Sequence, residues 1–295
     1  MPLTQSLAYS APSMVLAFLF SPIGILQGIY AKHFGIALTT IATVLLISRL
    51  FDAITDPLVG YFSDRHYARS GSRKPAVITG GLLFVVSSYF LYVPVDPLDL
   101  TATTVISTSY FLGWFLIFYF AWTLMEIPHL AWGAELAHSA KDKNKLYSLR
   151  TLATLLGVMF FYLVPLLPFS ETNEFTPTTL QWAAIAAGLM MFPALYFCVK
   201  LAPNGARVHV DNIKKDSLWE LQREIIANKP FLIFISSFCL FGIGGTGMFF
   251  TLMFVFVDSY LNLGEYFAQV TLLALVASMA FLSFWCWLAN GLGKK

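Results

Sequence analysis

Residues 48–64 read SRLFDAITDPLVGYFSD, and they lie in an apolar run from Gly35 to Phe62. A helix crossing the hydrocarbon core needs roughly 20 apolar residues, and this run supplies them. A charged side chain at mid-bilayer costs about 2.5–3.5 kcal/mol on insertion scales, so Arg49, Asp52 and Asp56 need a reason to be there. At 100° per residue, Arg49, Asp52, Asp56 and Gly60 share one helical stripe, with Thr55 at its margin beside Asp52. Two carboxylates four residues apart repel each other unless one takes a proton or a cation sits between them. A sodium ion or a proton suits such oxygen ligands.

The rest of the chain has the same character. It is 58% hydrophobic and 12% charged over 295 residues, with a mean hydropathy of +0.71. A soluble domain is about a quarter charged, so the solvent for this apolar surface is lipid. Eight spans are expected, near Tyr9–Tyr30, Gly35–Phe62, Pro75–Tyr92, Val105–Glu135, Leu146–Leu167, Leu180–Leu201, Pro230–Leu261 and Tyr266–Leu288. The first has no A-x-A cleavage pattern and reads as a retained span, not a signal peptide. Fifteen of the 18 Lys and Arg fall in alternate loops, which places both termini in the cytoplasm by the positive-inside rule. The opposite loops hold Lys32 with Asp96, Asp99, Glu171, Glu174 and Glu265.

Three units follow: a six-helix bundle over residues 1–201, a cytoplasmic linker over 202–229, and a partial second bundle over 230–295. The linker ends in DSLWELQREIIANK, which reads as a short amphipathic helix with Ser217 and Glu220 at capping-box spacing. The glycine-rich FGIGGTGM of residues 241–248 follows no strand, so it reads as close helix packing or local bending and not as a phosphate cradle. Cys198, Cys239 and Cys286 sit in apolar runs at spacings that suit neither zinc nor disulfides. Without a nucleophile–base pair or a metal set, an enzyme is not expected. No basic face outside the membrane loops points to nucleic acid. No cofactor is expected beyond the coupling ion.

The fourth span adds Thr123 and Glu126, followed by Pro128 and His129. Pro128 cannot donate a backbone hydrogen bond, so it frees a carbonyl near Glu126. The fifth span carries Arg150 near its cytoplasmic end. An ion-pair network among Arg49, Asp52, Asp56 and Arg150 is the purely structural alternative, and His129 reads as a packed residue before a ligand.

At these positions the sequence resembles the glycoside–pentoside–hexuronide cation symporters, the melibiose-permease group of the major facilitator superfamily. RLFDAITDPLVGYFSDRHYARSGSRKP carries the resemblance, with TLMEIPHLAWGAEL and YSLR in support. The resemblance implies an all-α membrane fold of the major-facilitator type. It implies cation binding by Asp52, Thr55, Asp56 and Thr123, and sugar contact by Glu126 and Arg150. It assigns gating or ion pairing to Arg49, Gly60, Asp64, Arg65, Gly71 and Arg73. The expected protein is a monomeric, multi-pass inner-membrane symporter for a sugar or glycoside, driven by Na+ or H+. The first span lacks the acidic residue that melibiose permease has there, which keeps a lysolipid or other amphiphile open as substrate. The family has twelve helices and this sequence shows eight, so a truncated chain, with or without transport activity, is also expected.

Overall fold

The computed structural model describes residues 1–94, 106–137, 139–168, 173–205, 227–241 and 249–292. Every regular element among them is helical. The first bundle comprises α1 (Leu3–Phe20), α2 (Ile23–Phe34), α3 (Leu38–Ser70), α4 (Lys74–Tyr92), α5 (Thr108–Leu136), α6 (Ala140–Leu163) and α7 (Pro177–Leu201). A 3-10 turn, Val164–Leu166, extends α6. Beyond the linker come α8 (Lys229–Phe241), α9 (Phe249–Val255), a π-helical turn (Phe256–Tyr260) and α10 (Gly264–Leu292).

Seven helical stretches among the described residues are long and apolar enough to cross a membrane: Leu3–Phe34, Leu38–Ser70, Lys74–Tyr92, Thr108–Leu136, Asp142–Leu166, Pro177–Leu201 and Gly264–Phe281. Six match the expected spans two to six and eight. The first, α1 with α2, is one span with a break, because Pro22 has no N–H to give and the Ser21 hydroxyl takes the Ala17 carbonyl at 2.7 Å. The expected seventh span, Pro230–Leu261, is described only at its two ends. α8 has 13 residues and rises about 20 Å. The far end is α9 and the π turn. The glycine-rich residues 242–248 between them lie outside the described residues, as does most of the linker helix expected over 216–229.

Local chemistry sets the helix ends. α3 runs 33 residues, about 50 Å, so its last turns stand clear of the apolar layer. It stops at Gly71, whose φ of 71° is the left-handed conformation that glycine adopts at least cost, and whose N–H reaches the Tyr67 carbonyl at 2.7 Å. The hydroxyls of Ser107, Ser139 and Thr176 cap α5, α6 and α7.

α1 and α5 form the middle of the first bundle. α1 packs on α6 and α7, and α5 packs on α4 and α3. Between them Nε2 of buried His129 donates to the Tyr9 carbonyl at 2.9 Å, and the Tyr9 hydroxyl donates to the His129 carbonyl. The two rings stack with centroids 4.2 Å apart. His129 is therefore a packed, hydrogen-bonded residue. Trp132 packs edge-on to Tyr9, and further along α5 Phe111, Phe115 and Phe118 are fully buried with Phe84 of α4. α3 exposes Leu46, Leu50, Ile54 and Leu58 at four-residue spacing, so one flank of that helix is free among the described residues.

Gly80 marks the closest approach of α4 and α5: a Cβ there would lie 2.5 Å from the Met125 backbone nitrogen, which cannot yield. Gly113 has nothing within 4 Å of its notional Cβ. Gly80→Ala should lower thermal stability in detergent by about 1–3 kcal/mol through overpacking. Gly113→Ala should leave it unchanged or raise it by up to about 1 kcal/mol through helix propensity. Parallel melting curves of the two variants check this.

Candidate functional site in the membrane-spanning bundle

The stripe on α3 meets α5 at mid-helix. Thr123 of α5 is buried and donates its hydroxyl to Asp56 Oδ1 at 2.9 Å. One turn earlier on α3, Asp52 Oδ2 lies 3.2 Å from Arg49 Nη1, and the Arg49 guanidinium sits 4.3 Å from the Tyr119 ring centroid. Asp52 is 13% exposed and Arg49 56% exposed, so the acid is largely enclosed while its basic partner faces open space. Asp52 Oδ1 is buried with no hydrogen-bond partner among the described residues. One turn further along α5 from Thr123, Glu126 pairs with Arg150 of α6 through Oε1 and Nη2. Glu126 Oε2 and Arg150 Nε are likewise buried without partners among the described residues.

These contacts redraw the expected ion-pair network. Arg49 serves Asp52 and Arg150 serves Glu126, so two pairs flank the Asp56–Thr123 hydrogen bond. Thr55 stands apart: its hydroxyl donates to the Phe51 carbonyl at 3.1 Å, and it lines an apolar cavity of about 410 Å³ with Leu58, Phe62, Phe120 and Leu124. It makes no hydrogen bond to either aspartate.

The oxygen set fits a hard cation. Carboxylate and hydroxyl oxygens are the ligands that such ions take. Thr123 spends its hydrogen on Asp56 and keeps its lone pairs, so it can still ligate. No group of three or more His, Cys, Asp or Glu gathers for a metal among the described residues. Cys198 is buried and its thiol points to the Tyr9 carbonyl, as a packing residue does.

The second cluster lies at the end of α3. Arg73, 7% exposed, donates to Asp64 Oδ1 at 2.7 Å, to Glu135 Oε1 at 2.8 Å and to Ser63 Oγ at 2.9 Å. Its guanidinium also lies over the Tyr67 ring, 4.6 Å from the centroid. Burial works against the charge, but the hydrogen bonds to Glu135 and Asp64 outweigh it and hold the pKa above the ordinary arginine value. Gly71 supplies the turn that brings Arg73 back onto α3 and α5. Arg65 faces outward and donates to Tyr61. Gly60 has open space around it. The sequence reading missed Glu135. Its signal was an acid ending an apolar span beside a basic loop.

The two carboxylates of this cluster differ in exposure, 14% for Glu135 and 69% for Asp64. Glu135→Ala should cost about 3–5 kcal/mol by stranding a buried guanidinium. Asp64→Ala should cost about 1 kcal/mol or less. Thermal unfolding of both variants in one detergent measures the gap.

The profile of the family described as MFS/sugar transport protein matches residues 3–295. "Uncharacterized symporter YjmB" of Bacillus subtilis is 23% identical over 207 residues, covering 68% of this chain and 43% of the relative. "Inner membrane symporter YicJ" of Escherichia coli is 27% identical over 170 residues, covering 57% and 36%. "Putative glycoside/cation symporter YagG" of the same organism is 29% identical over 122 residues, covering 41% and 25%. The chain thus spans less than half the length of these relatives. Seven bilayer-length helices, paired charges between them and a family match over nearly every residue lead to one conclusion: this multi-pass membrane protein belongs to the MFS/sugar transport protein family, a family of transporters and not of enzymes.

Proposed function

We propose that this chain carries the ion-coupling and substrate-binding machinery of a cation-coupled symporter for a sugar or glycoside. The observation that carries the reading is the Thr123–Asp56 hydrogen bond across α3 and α5, one turn from Asp52 on one side and from Glu126 on the other. The names of the three relatives, all symporters and one of them a putative glycoside/cation symporter, support it.

In this reading Na+ or H+ binds at Asp52 and Asp56, with Thr123 as the neutral ligand. Neutralising the pair removes the pull on Arg49 and settles the α3–α5 seam. Glu126 accepts hydrogen bonds from the hydroxyls of the sugar, and Arg150 donates them. Their atoms without partners, Glu126 Oε2 and Arg150 Nε, are the groups a polyol would satisfy. Each ligand raises the other's affinity, as linkage requires. The bundles then rock around the site and expose it to alternate sides. In this reading the protein is a monomer in the inner membrane with both termini cytoplasmic, which the alternation of basic loops supports. A second reading, an amphiphile as substrate, is favoured by one feature: α1 and α2 carry no charged side chain before Lys32.

Asp56→Asn keeps an acceptor for Thr123 and removes the charge. In vesicles it should abolish gradient-driven accumulation of the substrate while leaving the protein folded. Thr123→Val should weaken the coupling cation roughly tenfold, the worth of about one lost ligand bond. Uptake by Asp56→Asn at the wild-type level would remove the cation assignment. Accumulation of acyl-chain substrates without any binding of sugars would replace the substrate class.

A further inference from the structure

We infer that Lys32, Glu174 and Asp258 form a charge latch that holds the outer mouth of the transporter shut. Lys32 closes α2, Glu174 lies just before α7, and Asp258 sits on the π turn after α9. Lys32 Nζ reaches both Asp258 oxygens, at 3.3 and 3.4 Å, and Glu174 Oε2 at 3.8 Å. The inference rests on the orientation proposed above, which puts these three residues on the side away from the basic loops.

Asp258 is the telling member. Its side chain is 7% exposed, while Lys32 and Glu174 are about half exposed. A nearly buried carboxylate has thus placed itself against a lysine from the other bundle. Beside the latch an aromatic plug continues the seam. Phe254 of α9 packs edge-on to Phe267 of α10 with centroids 5.1 Å apart, and Phe175 of the first bundle lies 6.4 Å from each. All three rings are buried. Gly28 on α2 leaves the room for this: a Cβ there would come within 2.6 Å of the Phe254 ring. At the other end of the same span α8 is exposed from Lys229 to Phe241. Among the described residues the two bundles therefore meet at the outer end, through α9 on α2 and α10 on α6.

Breaking the latch should let the site open outward more often, since losing one surface pair shifts a two-state balance by a measurable but modest factor. The test reads access directly. Thr154, one turn outward from Arg150 on α6, is replaced as Thr154→Cys, and right-side-out vesicles are exposed to a membrane-impermeant maleimide. Protein lacking Thr154→Cys gives the background of the native cysteines. Lys32→Glu, which sets three acids against one another, should speed labelling about fivefold, and the milder Lys32→Gln about twofold. Adding Asp258→Lys to Lys32→Glu should bring the rate back to within about twofold of the parent. Labelling at the parent rate in both Lys32 variants would overturn the latch, as would a charge swap that labels as fast as Lys32→Glu alone. Labelling does not depend on coupled uptake. A working latch without ion-driven accumulation would therefore count against the symporter reading and not against the latch.

Discussion

Every acidic side chain that the described structure draws into the bundle is met by a positive or hydrogen-bonding group, and those meetings decide which helices are neighbours. Asp56 is answered by Thr123, which ties α3 to α5. Glu126 is answered by Arg150, which ties α5 to α6. Glu135 is answered by Arg73, which ties α5 to the start of α4. Asp258 is answered by Lys32, which ties the π turn to α2. Asp52 pairs within its own helix, and its Arg49 then rests on Tyr119 of α5. In lipid, apolar packing alone does little to choose one helix partner over another, because the tails are as apolar as leucine. Polar pairs and small residues such as Gly80 therefore select the arrangement, and the aromatic core fills in around them.

The pairs differ in how firmly they hold. Arg73 is buried and donates to three groups, so the turn between α3 and α4 is stiff. Arg49 and Lys32 are half exposed and hold their acids from one side only. A transporter needs both kinds of contact. Stiff contacts let each bundle move as a body, and weak ones at the seams let the bundles part at a cost that ligand binding can offset.

Much of this was legible in the sequence, for reasons visible in particular residues. Arg49, Asp52 and Asp56 stood out because charge in an apolar run is rare, and helical spacing alone put them on one stripe. Run length suggested eight spans, of which seven are bilayer-length helices among the described residues, whereas Gly71 was named through the family resemblance. What the sequence could not give was pairing across helices. Periodicity places a residue on its own helix but says nothing of the helix opposite. Arg150 could have served the α3 aspartates and instead serves Glu126. Thr55, three residues from Asp52, turns into an apolar cavity with Phe120 and Leu124. Glu135 looked like the end of a span until Arg73 was seen to reach it over a separation of 62 residues.

We propose that the α3 carboxylates answer to a cation, and infrared difference spectroscopy of the purified protein reads them directly. Adding Na+, or changing pH at fixed Na+, should produce carboxyl and carboxylate bands that Asp56→Asn and Asp52→Asn each diminish. Spectra unchanged by Na+ and by pH across the range where the protein stays folded would contradict it, and the two aspartates would then be structural pairs alone.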